Sequence, residues 1–324
     1  MSVFFPVHRP RVGLSFSEQG LALVELQRGW RKLEIARVAE RPLPEKALHP
    51  SATEPNILQR EIVEQELRVL LQQTSDRTVA LCLPDRACHL AIFPFETLPP
   101  RDRDREPILR WRFQHEEHVT LGGDAQIIQR VFPVPRHASG TTATEKPEGQ
   151  VTAYVLAMAI RRTVLDQYQR LCEQVGLLPV SISCAALWMF DFYRPAMVQA
   201  AELLFVHQAA DSMTCFAIRQ GVPVFCRSKA RRLGQGDPRR EIQSTVQFYD
   251  DLYPHGEAAP SAGPIPLYLV GDGPSRSEAP WSPGGQASWL VQPIQPDWKT
   301  LVGARSESLQ TPEALCALAC AVGR

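Results

Sequence analysis

Apolar and polar positions along this chain first alternate and then move to helical spacing. In "VGLSFSEQGLALVEL", residues 12–26, Val12, Leu14 and Phe16 alternate with small or polar residues, and Leu21, Leu23, Val24 and Leu26 follow. That is the period of two half-buried strands joined by a tight polar turn. "KLEIARVAERPLP" predicts a third strand, ended by Pro42 and Pro44. "NILQREIVEQELRVLLQQT" carries apolar residues at 57, 58, 62, 67, 70 and 71, which predicts a helical face. Two more strands follow, "TVALCLP" and "HLAIFPF", the second ended by "ETLPP". A helix over "DREPILRWRFQHEEHV" and a strand over "AQIIQRVFPV" complete this part.

Residues 135–150, "PRHASGTTATEKPEGQ", read as a loop, being polar and rich in Gly, Thr and Pro. The pattern then restarts with the strand "VTAYVLAMA", the helix "RTVLDQYQRLCEQVG", the strand "PVSISCA" and the helix "ALWMFDFYRPAM". Gly176 stands where a residue just past a helix end belongs. Three strands follow, "AELLFVHQ", "SMTCFAIRQG" and "VPVFCRS". Pro238 starts a helix through "REIQSTVQFYDDLY". A Pro/Ala/Gly loop at 254–264 precedes the strand "IPLYLVG". The last element is the helix "TPEALCALACAVG", with Thr311 as N-cap and Glu313 in the first turn. The order is partly duplicated: a three-strand meander with a polar first turn opens each half, at 12–43 and again at 202–228.

The bulk numbers narrow the class. The 324 residues suffice for two domains or one domain of two lobes, and 44% hydrophobic with 22% charged residues suits a folded globular chain. A formal net charge of zero gives no field that would draw nucleic acid or an anionic membrane. Locally, Arg227, Lys229, Arg231 and Arg232 form a basic cluster, either a solvated strand end or an anion or partner patch. No segment reaches the roughly 20 apolar residues that span a bilayer. The opening "MSVFFPVHRPR" lacks the order of a signal peptide, so a cytosolic location is expected, at a membrane only through a partner. The eight cysteines form no C-x-x-C pair and lie within apolar patterns, which suits buried thiols in a reducing compartment and not a zinc site.

Other chemical signals are thin. "HEEH" at 115–118 lacks the spacing of H-E-x-x-H, so a solvated helix end is the reading. "GDG" at 271–273 follows a strand without the third glycine of a dinucleotide fingerprint and reads as a tight turn. No G-x-S-x-G and no phosphate-loop lysine motif is present, and His207 has no nucleophile motif beside it. No catalytic residue and no metal ligand is assigned.

Four stretches carry a resemblance. "VGLSFSEQGLALVEL" aligns without a gap to a stretch of the form I-G-I-D-I-G-S-S-S-V-K-L-V-E-L, and "VALCLPDRACHLAIFPFETLPP" is similar to a strand pair ending in a Met-Pro or Leu-Pro turn. "VLAMAIRRTVLDQYQRLCEQVGLLPVSISCAALWMFDFY" is similar to the strand, helix, turn and strand joining two lobes, and "LFVHQAADSMTCFAIRQGVPVF" aligns without a gap to V-D-I-G-A-T-T-T-T-L-N-V-V-R-D-G-x-P-L-F. In that order, with the closing "ALACAVGR", they resemble the PilM family of type IV pilus assembly, a branch of the actin, sugar-kinase and heat-shock ATPase superfamily. MshI-type proteins and the cytoplasmic part of GspL proteins are relatives of the same plan. The resemblance implies an α/β, actin-like (ASKHA, ribonuclease H-like) fold of two lobes. Residues 1–185 would form the first lobe, with an inserted α+β subdomain at about 77–134, and 186–324 the second.

The resemblance also locates a nucleotide site whose residues have changed. The magnesium-holding aspartate of the first turn is Ser15, the phosphate-contacting glycine is Ser17 and the family lysine is Ala22. In the second turn the aspartate position is His207 and the glycine position Ala209. The Gly-Gly turn under the adenosine is partly kept as Gly271 and Gly273, and a helix that helps hold the adenosine has no counterpart between Gly236 and Arg239. Losing two carboxylates and a lysine removes on the order of 4–8 kcal/mol of charge-assisted bonding. A micromolar site starts near about −8 kcal/mol, so millimolar binding or none is expected. No cofactor is therefore expected, with Mg-ATP as the alternative.

The implied function is a cytosolic, non-catalytic scaffold that binds the cytoplasmic tail of a PilN-like bitopic inner-membrane protein, with self-association possible and no nucleic-acid partner. Phe93, Phe95 and Trp111 flank a Pro-rich turn and a helix; they suit a core, and by the resemblance part of this set, with Leu98, borders the tail-binding groove. The alternatives are an ATP-binding switch and a small-molecule kinase of the same superfamily.

Overall fold

The computed structural model describes residues 10–28, 33–74, 76–135, 150–197, 200–231, 237–253, 264–271, 283, 289–294, 309 and 311–323. The first elements are β1 (Val12–Phe16), β2 (Gly20–Arg28), β3 (Leu33–Pro42), α1 (Arg60–Leu70), β4 (Thr78–Leu83), β5 (His89–Phe95), α2 (Asp102–His115), β6 (Ala125–Pro133) and β7 (Ala153–Arg161). They continue as α3 (Arg162–Gln174), β8 (Leu178–Cys184), α4 (Ala185–Met197), β9 (Glu202–Gln208), β10 (Ser212–Arg219), β11 (Val222–Ala230), α5 (Pro238–Leu252), β12 (Ile265–Gly271), β13 (Trp289–Pro293) and α6 (Pro312–Val322).

Two five-stranded sheets have one plan. The first runs β3-β2-β1-β4-β8 and the second β11-β10-β9-β12-β13. In each, an antiparallel meander is extended by two parallel strands, β4 and β8 in one, β12 and β13 in the other. The duplication read from the sequence is therefore a duplication of sheets. β13 carries no sequence expectation, because its five residues are too short to show a period.

The chain divides differently from the expected lobes. One unit comprises 1–87, 163–196 and 295–324, and the other 88–162 and 197–294. The expected insertion at 77–134 fails at both ends. β4 lies beside β1 in the first sheet, buried from Val79 to Leu83, whereas β7 is the centre of a separate sheet β5-β7-β6. Continuous apolar runs mark both strands, so composition alone does not say which sheet either joins. The inserted segment is thus 88–162. The expected second lobe at 186–324 loses its ends, since α4 and α6 belong to the first unit.

α6 packs onto the first sheet through close backbone approach. Its small residues Ala314, Ala317, Ala319 and Ala321 are all buried. A Cβ on Gly13 of β1 would lie 1.9 Å from the Ala317 carbonyl oxygen, so only glycine fits there. Thr311 accepts a hydrogen bond from the Ala314 amide at 3.1 Å, as its N-cap position predicts. On α1 the buried residues are Val63, Leu67 and Leu70, while Leu58 and Ile62, expected on that face, are exposed. The spacing 63, 67, 70 is the true stripe, and α1 begins only at Arg60.

Every cysteine is a thiol, and all but the half-buried Cys226 are buried. Burial pushes the thiols of Cys172 and Cys215 from 9.0 up to about 12. Both should resist a thiol reagent at pH 8 in the native protein and react once it is unfolded. The folded pKa values are raised, so the stability these neutral thiols contribute is whole below pH 9. It falls as pH rises from 9 to about 12, because only the unfolded thiols ionise there, by up to about 1.4 kcal/mol per pH unit for each. Urea unfolding at pH 8 and pH 10 checks this.

Candidate functional site

In the first turn, between β1 and β2, Ser15 faces Ala22 across the ladder, and both are buried. The position that would hold a carboxylate thus carries a hydroxyl, opposite a methyl group. Ser17 shapes the turn itself. Its amide donates to the Gly20 carbonyl at 2.9 Å. Its Oγ accepts from the Gly20 amide at 3.0 Å and the Gln19 amide at 3.3 Å. Serine forms such local turns readily. The Ser17 hydroxyl also lies 3.1 Å from Glu313 Oε1, in the first turn of α6. That carboxylate suits a helix N-terminus. An anion arriving at this turn would have to displace Ser17 Oγ from the two amides and approach the Glu313 charge.

The second turn, between β9 and β10, is similarly closed. The Ala209 amide donates to the Ser212 carbonyl at 2.9 Å. Arg231 reaches back from the end of β11, its Nη1 donating to the Ala209 carbonyl at 3.1 Å and its amide to the Asp211 carbonyl at 2.7 Å. Asp211 is buried and accepts from the Ser212 hydroxyl at 3.2 Å. His207 is buried within β9, opposite Thr214 on β10 and Val270 on β12. Gly271 ends β12 with φ +99°, and a Cβ there would lie 2.0 Å from the Gln208 carbonyl oxygen. Its glycine is explained by that approach alone. Gly273 and Gly236 lie outside the described residues, and Asp237 and Pro238, the residues between Gly236 and Arg239, are the N-cap and first residue of α5.

The basic cluster read from the sequence is taken up locally. Lys229 pairs with Glu241 at 3.1 Å, Arg227 stacks 4.2 Å over the Phe248 ring, and Arg231 clamps the second turn. Arg232 lies outside the described residues. Sequence reasoning missed the roles of Arg231, Asp211 and Glu313. Asp211 stood visibly in the turn "AADS", whereas the Glu313 contact spans 296 residues and has no local signature.

The aromatic set divides. Phe93 and Phe95 are 1% and 7% exposed and lie in the core under α2, with Phe113 edge-on to Phe93 at 5.1 Å. Leu98 packs partly buried against that core. Phe93 and Phe95 are therefore support beneath a surface; neither offers surface itself. Trp111 is 54% exposed, stacked at 4.5 Å on His115, with Ile108 one turn earlier at 38%. Arg112 lies 4.7 Å and 5.2 Å from the Phe93 and Phe95 rings, donates to the Pro94 carbonyl at 2.6 Å and grips Glu116 at 2.6 Å and 2.8 Å. These contacts fix the helix that presents Trp111.

Paired meanders extended by parallel strands, with an α+β insertion after the fourth strand, define an actin-like α/β fold. No family model matches the sequence, and no curated protein matches it. Among solved structures, the chain is similar to the PilM-PilN type IV pilus biogenesis complex, with TM-score 0.69 and 19% identity over 97% of this chain and 98% of that one. It is also similar to the cytoplasmic domain of EpsL, an inner-membrane component of the type II secretion system of Vibrio cholerae, with TM-score 0.51 and 9% identity over 97% and 95%. At these identities the likeness establishes the fold. No helix among the described residues is long and apolar enough to cross a membrane.

Proposed function

We propose that this chain is a non-catalytic scaffold of type IV pilus or related pseudopilus assembly. It binds the cytoplasmic tail of a PilN-like bitopic protein and is held at the inner membrane through that partner. The near full-length likeness to the PilM-PilN complex supports the setting. One observation carries the non-catalytic reading: the Ser17 hydroxyl takes the Gln19 and Gly20 amides of the first turn and itself lies 3.1 Å from the Glu313 carboxylate. Phosphoryl transfer depends on placed metal and positive charge. The side chains at Ser15, Ser17 and Ala22 supply neither, so the residues do not fit Mg-ATP and no step is derived through it. The tail-binding surface is the exposed stripe of α2 around Trp111 and Ile108, held from below by Phe93, Phe95 and Leu98.

Calorimetric titration with Mg-ATP, with a melting curve alongside, tests this reading. Ligand at 100 times its dissociation constant would stabilise the fold by about 2.7 kcal/mol. The expected result is no heat and no shift. Micromolar binding would replace the scaffold with a nucleotide-dependent switch, and turnover of a phosphoryl acceptor would make it a kinase.

A further inference from the structure

The first unit carries a depression of about 240 Å³ lined by Ile57, Arg60, Thr163, Asp166, Gln167 and Arg170. One wall is the segment entering α1. The other is a single face of α3, since 163, 166, 167 and 170 follow helical spacing. The floor is fixed. Gln167 Oε1 accepts from the Asn56 amide at 2.8 Å and the Ile57 amide at 3.1 Å, and its Nε2 donates to the Thr163 carbonyl at 3.0 Å. Behind it, Asn56 Nδ2 donates to the buried Tyr168 hydroxyl at 3.1 Å.

The rim is basic and under-used. Arg60 donates from Nε to Gln174 at 3.1 Å, and among the described residues its terminal nitrogens make no hydrogen bond. Arg170 meets Asp166 at 3.8 Å, too long for a hydrogen bond, and its side chain is 69% exposed. Guanidinium forks in such positions suit bidentate recognition of a carboxylate. The lining sums to one net positive charge, from Arg60 and Arg170 against Asp166. One carboxylate balances that sum. A phosphate fits it worse, because its second charge meets Asp166. The apolar member of the lining is Ile57, which is half-buried and precedes the exposed Leu58.

We propose that this depression binds an acidic peptide segment of a protein partner, an Asp or Glu side chain between Arg60 and Arg170 with an apolar neighbour over Ile57. The site shares no residue with the α2 surface and does not depend on the tail-binding reading.

The test is a resonance-shift titration of the full chain with acetyl-Leu-Glu-Leu-amide, its isostere acetyl-Leu-Gln-Leu-amide, and inorganic phosphate. The Glu peptide is expected to shift Ile57, Thr163 and Arg170 and to bind at least tenfold more tightly than the Gln peptide. Raising the salt concentration should weaken it. Arg60→Gln with Arg170→Gln should abolish the difference between the peptides without changing the melting temperature, both side chains being exposed. Equal binding of the two peptides, binding unchanged in the double variant, or phosphate shifting the same residues more tightly than the Glu peptide would each overturn the proposal. If the double variant unfolds, the single Arg170→Gln variant is the substitute, with at least a threefold loss expected and an unchanged affinity counting against the site.

Discussion

Gly13→Ala is expected to break the packing of α6 on the first sheet. The new Cβ would meet the Ala317 carbonyl oxygen at 1.9 Å, Cys320 Sγ at 2.7 Å and the Ala321 amide nitrogen at 2.8 Å. Two of these three are backbone, so no side chain can swing aside to admit it. Overpacking a well-filled core typically costs about 1–3 kcal/mol and sometimes more. A clash of backbone with backbone belongs at or beyond the upper end. α6 is buried along its length from Ala314 to Val322 apart from Leu315, so its displacement exposes apolar surface and buried thiols together. Chemical denaturation should show an unfolding free energy lowered by about 3 kcal/mol or more, and Cys316 and Cys320 should become reactive at neutral pH. A variant as stable as the parent, with both thiols still protected, would mean that α6 does not lie against β1 in this way.

Arg105→Ala is expected to loosen the inserted segment. Arg105 is only 6% exposed, and its guanidinium donates to Gln129 Oε1 at 2.7 Å, to the Pro99 carbonyl at 2.7 Å and to Asp102. It joins the start of α2 to the turn before it and to β6. Truncation leaves the first two acceptors without their donor and opens a cavity where the side chain stood. Each unmet group costs about 1–3 kcal/mol, less where water can enter. A loss of about 2–4 kcal/mol follows, read by hydrogen exchange across β5, β6, β7 and α2. Arg105→Lys should recover only part of it, because an ammonium cannot replace the planar fork. Unaltered exchange across these elements would contradict the role.

Much of the fold was legible because local chemistry decided it. Thr311 and Pro238 mark helix starts, and Gly176, with φ +78°, stands just after α3. The first meander shows its strands through alternation, and the polar turns separate them. Assignment of strands to sheets was not legible. β4 and β7 are both continuous apolar runs, and the partners that distinguish them, β1 and β5 with β6, lie far off in sequence. The site was half legible. Ser15, Ala22 and His207 could be placed by the resemblance of their turns to the PilM pattern, but what fills the first turn could not. Glu313 reaches Ser17 only because α6 returns to the first sheet, and nothing near residue 313 announces it.

The most direct test of the scaffold reading is one titration, run with and without Mg-ATP. The probe is the cytoplasmic tail of a PilN-like bitopic inner-membrane protein of the same organism, added to this chain. Binding should be saturable, equal in both conditions, and at least about tenfold weaker in Trp111→Ala, the scale of an exposed aromatic anchor at an interface. No binding of the tail, or binding that appears only with Mg-ATP, would contradict the account.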